Sequence, residues 1–270
     1  MNARAWFVNA TLAALAAFAL VPLAWMVSVS FMQPGAASTY PPPVLPAEPT
    51  FGNYRQLFAQ SGMGGYLLNS LAIACGVTLT SVLFNVLAGY AFAKLRFAGR
   101  DRLFRALLAA LVIPGQVAML PLFLMLKQMG LVNTWAGVIV PGMAGVFGIF
   151  LVRQYALSLP DELLEAARID GAGELRIFLE VVLPLLAPIV VTLAMFAFLG
   201  SWNDFMWPLI VLADGELHTA PVALASLSRE HVQDSELMMA GSVVTIVPVL
   251  LLFLALQRHY LAGLTMGSLK

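Results

Sequence analysis

Six apolar runs limit what this chain can become, because each is long enough to cross a bilayer and few charges interrupt them. A spanning helix needs about 20 mainly apolar residues. Runs at about 7–31, 66–93, 106–127, 135–152, 185–211 and 239–258 reach that scale. Of the 270 residues, 61% are hydrophobic and 10% charged, against roughly 25% charged in soluble domains. Lipid is therefore the main solvent. Inside it, backbone N–H and C=O groups must pair within the segment, which favours helices. The predicted fold class is an all-α membrane protein of six transmembrane helices in a single domain, residues 1–270. The first run follows Arg4 and precedes Ala36, Ala37 and Ser38, as a signal peptide would. Its length exceeds the about 7–15 residues of a signal core, so it is read as a retained span.

Lysine and arginine placement sets the orientation, since cytoplasmic loops are enriched in both. With the N-terminus inside, eleven of the fourteen fall on the inner side: Arg4, Lys94, Arg96, Arg100, Arg102, Arg105, Arg153, Arg168, Arg176, Arg258 and Lys270. Arg55, Lys127 and Arg229 fall outside. Both termini are thus expected in the cytoplasm. The outer segment 32–50 carries six prolines, which favours an extended conformation. The outer loop 213–238 is polar, and neither outer segment is long enough for a separate domain.

Much chemistry is missing. A net charge of zero argues against nucleic acid as a partner, and Cys75, the one cysteine, sits in an apolar run. His218, His231 and His259 are scattered, so no metal site is expected. There is no phosphate-binding G-x-x-x-x-G-K-[ST] loop, no H-E-x-x-H and no G-x-S-x-G. Asp204 alone lies well inside an apolar run, whereas ion-coupled carriers bury several ionisable groups along their path. No catalytic residue and no intrinsic energy source can be assigned.

Against this background the inner segment 158–184 stands out as charged and interrupted. Ser158, Pro160 and Asp161 read as a helix start, with Ser158 placed to cap. Asp161, Glu162 and Glu165 complement the positive end of the helix dipole. Arg168, three residues after Glu165, makes a weak surface pair with it. Gly171 and Gly173 end the helix at about 170, and a second short helix over about 174–182 leads through Pro184 into the fifth span. Leu163, Ala166, Ala167 and Asp170 share one face by helical spacing. A helix lying on lipid headgroups prefers a basic polar face, and this one is mainly acidic. Docking to a protein is the favoured reading, with lipid contact or internal packing as alternatives.

The combination Glu165-Ala166-Ala167, Asp170-Gly171, Ile177 and Leu183-Pro184 resembles the cytoplasmic EAA loop of ATP-binding cassette importer permeases. The stretch FLGSWNDFMWP from Phe198 to Pro208 is similar to the fifth span of carbohydrate permeases of the maltose type. Asn69-Ser70, the segment AGSV from Ala240, and the tail GLTMGSLK from Gly263 fit the second permease subunit of that group. The resemblance covers essentially the whole chain and implies the type I importer permease fold, in a prokaryotic inner membrane. It implies a coupling helix at Glu165–Gly171 docked in a cleft of an ATPase, with Ala166, Ala167 and Gly171 permitting close approach. Glu165 and Asp170 would then meet polar or basic groups, and the tail after Arg258 would lie near the ATPase dimer. It further implies a second, different permease, two ATPase subunits that bind ATP and magnesium, and an external solute-binding protein. This chain itself would hold no cofactor.

Two features bear on the solute path. Ser70, Ala74, Thr78, Ser81, Asn85 and Gly89 form one stripe on the second span, open to reading as a packing seam or as a path lining. Ser201, Trp202, Asn203 and Asp204 interrupt the fifth span near its outer end. They read either as an interfacial group, with Trp202 and Trp207 in an aromatic belt, or as a polar, aromatic wall suited to a polyhydroxylated solute. The sequence therefore points to a permease subunit for a mono-, di- or oligosaccharide or a related solute. A self-sufficient carrier or channel would need more spans or an internal repeat. An intramembrane enzyme would need a nucleophile and base.

Overall fold

A computed structural model describes residues 3–230 and 234–265, with side chains over 5–227 and 234–255. His231, the side chains of Arg4, Arg229, Arg258 and His259, and the tail from 266 to Lys270 lie outside the described residues. Among the described residues every regular element is helical. In chain order these are α1 (Ala3–Ser30), α2 (Gly52–Ala59), α3 (Met63–Lys94), α4 (Arg100–Ala110), α5 (Gly115–Gln128), α6 (Trp135–Gly142) and α7 (Val146–Leu157). They continue with α8 (Asp161–Ile169), α9 (Glu174–Ile177), α10 (Leu183–Leu185), α11 (Ala187–Trp202), α12 (Met206–Val211), α13 (Ala220–Glu230) and α14 (Ser235–Thr265).

Helices α1, α3 and α14, and α6 with α7 taken together over Trp135–Leu157, are long and apolar enough to span, and six spans result only if two bent pairs each count as one. The runs 106–127 and 185–211 are therefore not single straight helices. Between α4 and α5 the axis turns by 104°. Pro114 explains the break, because proline lacks an N–H and pushes Ile113 out of the helical region. The approach to α11 turns by 78°. Here Pro184 cannot bond the carbonyl of Glu180, and residues Phe178–Val182 widen into a π turn in which the Leu183 N–H donates to the Phe178 carbonyl. The run ends early, at Trp202, and resumes as α12 after three non-helical residues.

The chain divides into two compact units, Met1–Leu67 with Ala220–Leu250 and Leu68–Thr219 with Leu251–Lys270. In the first, the end of α1 is pinned by Asn53, whose side-chain amide donates to the carbonyls of Ser30 and Met32, both at 2.9 Å. Phe31, Phe51 and Tyr54 cluster over this junction. Its core joins Leu57, Met63, Ala220, Leu227 and Leu237. The loop expected at 213–238 thus contains a packed helix, α13, whose Ala220, Val222 and Ala223 are buried. Glu236 is buried at the start of α14 and accepts from the Ala37 N–H at 2.7 Å. By contrast, only 6% of the spanning window of α1 is covered.

In the second unit, the Asn85–Gly89 end of the α3 stripe is a seam against α7. Ser70, Ala74, Ser81, Asn85 and Gly89 are buried and Thr78 half-buried. A Cβ on Gly89 would lie 2.6 Å from Val152, and one on Gly148 would lie 2.6 Å from the Asn85 amide. Asn69 donates to the carbonyls of Glu216 and His218 and fixes the segment after α12. On α6, Gly137 packs so closely that an added Cβ would overlap the Leu131 carbonyl oxygen and meet Val211 at 2.9 Å. Overpacking of this kind costs about 1–3 kcal/mol. Gly137→Ala should lower the melting temperature of the purified protein clearly, while Gly173→Ala, which meets nothing within 4 Å, should not; a thermal shift series checks both.

Candidate functional site

The sequence-predicted docking loop is an anchored base carrying an exposed face. Leu164 is buried on α8, and it joins Ile177, Phe178 and Val182 in a core with Tyr90, Ala93, Val152 and Ala156. Ala167, Ala172 and Leu183 pack against the same core. The opposite side of α8 presents Glu162, Ala166 and Ile169, with Glu165 on one flank and Leu163 and Asp170 on the other. All six are exposed, Ile169 by 86%. Of the expected docking residues, Glu165, Ala166, Asp170, Gly171 and Pro184 thus reach the surface. Ile177 is fully buried, and Ala167 and Leu183 are half-buried in the base. The outward face is rotated from the expected Leu163–Ala167 side toward Ala166 and Ile169.

Helix α8 stops by a Schellman arrangement. Gly171 adopts φ +81°, the Gly171 N–H donates to the Arg168 carbonyl, and the Ala172 N–H donates to the Ala167 carbonyl, both at 3.0 Å. Glycine meets the left-handed requirement here. Arg168 does not pair with Glu165 as expected. It reaches across this turn and donates to Glu174 at 2.8 Å, and the Tyr90 hydroxyl donates to the same carboxylate at 3.3 Å. The start of α8 also differs from expectation. Ser158 donates to the Tyr155 carbonyl and closes α7, and Pro160 occupies the N-cap without a side-chain bond.

What holds that start is Lys94, the last residue of α3. Its side chain is 5% exposed, and the ammonium donates to the Leu159 carbonyl at 2.6 Å and to Asp161 at 2.5 Å. A cation at the end of α3 and a carboxylate at the beginning of α8 each suit the local helix dipole. Sequence reading missed this tie because 67 residues separate the partners.

The second feature is a cavity of about 390 Å³, whose walls include Ser81, Phe196, Ser201, Asp204 and Trp207. Asp204 follows the end of α11 and accepts from the Trp207 N–H at 3.3 Å, so it opens α12. Of the expected path residues, Ser201 and Asp204 line this cavity, and Trp202, Asn203 and Asn85 do not. Asn85 faces the neighbouring helix: its Nδ2 donates to Ser81 at 2.8 Å, and its Oδ1 accepts from the Gly145 N–H at 3.0 Å. Nor do the tryptophans form an interfacial belt. Trp202 is 2% exposed and stacked on Phe198, and Trp207 is 7% exposed and donates to the Gly137 carbonyl. Among the described residues no three His, Cys, Asp or Glu side chains group as a metal site would require.

Residues 85–264 match the family described as binding-protein-dependent transport system inner membrane component, a stretch that holds both α8 and the cavity wall at Ser201–Trp207. The chain belongs to that family. The permease is 38% identical to the arabinooligosaccharides transport system permease protein AraQ of Halalkalibacterium halodurans, over 98% of this chain and 96% of that one. It is 33% identical to the trehalose transport system permease protein SugB of Mycobacterium tuberculosis, over 98% and 97%. A chain from the crystal structure of a bacterial ABC transporter involved in the import of the acidic polysaccharide alginate superposes with a TM-score of 0.84. That chain is 24% identical, with 94% of the permease and 95% of its own length covered.

The Lys94 tie has a pH signature. Its hydrogen bond and charge hold the Asp161 carboxyl below the usual range. A lowered carboxylate pKa contributes stability above the unfolded value, which is lost as pH falls through the folded one. The Asp161 side of the anchor is therefore complete at neutral pH and is lost in acid. Lys94→Met should accelerate hydrogen exchange at 161–170 at pH 7, with the six-span insertion unchanged. Exchange at those amides equal to wild type would remove Lys94 from this role.

Proposed function

We propose that the permease is one of two unlike membrane subunits of an ATP-driven importer that takes up a sugar or sugar-like solute delivered by an external binding protein. One observation carries the docking part of this reading: α8 rests on a buried base and turns Ala166 and Ile169 outward, inside the segment that matches the family. An 86% exposed isoleucine beside an exposed alanine suits burial under a partner and close backbone approach. Each of two partner ATPases would hold ATP and magnesium, and this chain would hold neither. The names of the relatives support carbohydrate as the solute class. The eleven-to-three distribution of basic residues supports both termini on the cytoplasmic side of the cell's inner membrane, which puts α8 where an ATPase can reach it.

Transport then follows from differential contact. ATP-driven closure of the ATPase pair draws the docked α8 elements together, and the Lys94 and Arg168 ties transmit that movement to α3 and α9. Ser201 and Asp204 form a polar stretch of the path, where solute hydroxyls find hydrogen-bond partners as water is stripped away. Asn85 supports that wall from behind through its bond to Ser81.

Cross-linking tests the docking. With Cys75→Ser, a photo-crosslinker on Ala166→Cys should capture a protein carrying phosphate-loop motifs when the partner subunits are co-expressed; capture of lipid alone, with a folded ATPase present, would refute it. At Gly171→Phe the new Cβ meets nothing within 4 Å, and holding φ at +81° costs about 1–2 kcal/mol. It should reduce ATPase association and uptake, while Gly171→Asn, which tolerates the same φ, keeps both. For the path, Asp204→Asn should leave complex yield normal and lower solute uptake; unchanged uptake would take Asp204 off the path.

A further inference from the structure

The inner end of α3 leads into a second charged feature that the docking loop does not use. Arg96, Arg100, Arg102 and Arg105 surround a cavity of about 630 Å³, in which Asp101 is the one acidic residue. Arg100 is held in place, donating to the Leu95 carbonyl at 3.3 Å and to Asp101 at 3.1 Å. Arg105 donates to the Asp101 carbonyl at 3.2 Å. Arg96 and Arg102 are exposed and have no hydrogen bond or ion pair among the described residues. Gly99, at φ +81°, starts α4 with no side-chain cap, so the first-turn amides of Asp101 and Arg102 also point out without backbone acceptors. Two fixed guanidinium groups and two without a hydrogen bond, beside open amides, supply the donors that a tetrahedral oxyanion takes.

The level of this receptor is set by its neighbours. The apolar length of α3 ends at Lys94, and Phe104 of α4 packs on Phe92 of α3 at 5.5 Å between ring centroids. The Arg153 guanidinium lies over the Phe104 ring at 4.1 Å. The arginines therefore sit where two apolar segments end together, beside the exposed apolar side chains of Phe97 and Leu103. That mixture of exposed apolar and basic groups fits a molecule with a charged head and a hydrocarbon tail. Clusters of basic residues directly inside a spanning helix attract acidic headgroups.

We infer that this cavity binds the phosphate headgroup of an acidic phospholipid from the inner leaflet, with Arg96 and Arg102 as its direct contacts. The assignment of leaflet rests on the orientation proposed above. The assembled transporter, purified in detergent with cardiolipin or phosphatidylglycerol added, should retain acidic lipid by native mass spectrometry, and phosphatidylcholine should not compete. The double variant Arg96→Gln/Arg102→Gln should retain at least about tenfold less, from the typical attraction per basic side chain at a surface. Arg176→Gln, which removes an exposed arginine paired elsewhere, should match wild type. Equal retention by the double variant overturns the site. Displacement of lipid by millimolar inorganic phosphate, with phosphate adduct in its place, would make the ligand a free anion and overturn the lipid assignment. Loss of ATPase subunit with lipid retained would make the surface a protein contact and overturn it as well. Orientation is read separately, with Cys75→Ser and Ala98→Cys. An impermeant maleimide should label this cysteine in inside-out vesicles only, and labelling in right-side-out vesicles would overturn the topology whatever the lipid result.

Discussion

A backbone N–H that leaves its helix within a bilayer must find an acceptor in the protein, and the bond from the Gly145 N–H to Asn85 Oδ1 meets that demand. The fourth span is interrupted at 143–145, between α6 and α7. Asn85 bridges the gap from α3 and donates onward to Ser81. Because Gly148 and Gly89 lack side chains, α7 approaches α3 closely enough for that bond to form. The same seam places Val152 and Ala156 under Ile177 and Phe178, and so supports the base of α8. A long reach of the second unit thus depends on one buried amide and two small residues.

Other interruptions are repaired on the same principle. The residues after α12 are held by Asn133, whose side-chain oxygen accepts from the Ala213 and Asp214 amides. Asp204 serves the start of α12, and the π turn absorbs the missing donor at Pro184. The repair at Asp204 places polar atoms within an otherwise apolar run. In the case of Asp204 and Ser201 those atoms also border a cavity, so the polar part of its wall is a by-product of interrupting a helix.

The sequence shows some of this directly and hides the rest for identifiable reasons. Residues at α1, α3 and α14 are apolar over whole spans, so their existence was legible from composition alone. The bends after Leu111 and Leu186 were not, because hydropathy averages over Pro114, Pro184 and Pro188 without registering their geometry. Glu165-Ala166-Ala167 and Asp170-Gly171 marked α8, since charge and glycine interrupt the apolar pattern there. Which side of α8 faces inward was misjudged by part of a turn, because Leu163 and Leu164 are chemically alike and only the packing of Leu164 decides. Asn85 and Lys94 act through partners 60 or more residues away, a relation that no local spacing contains.

Helix α1 follows different rules. With so little of its length covered by the rest of the chain, its apolar surface is left for lipid or a neighbouring subunit to cover. Substitutions that keep it apolar should be nearly interchangeable along most of its length, up to the junction at Ser30 where Asn53 and Tyr54 take hold. That surface is then open to fit whatever lies beside it, while the seam between α3 and α7 leaves no room for a methyl group at Gly89 or Gly148.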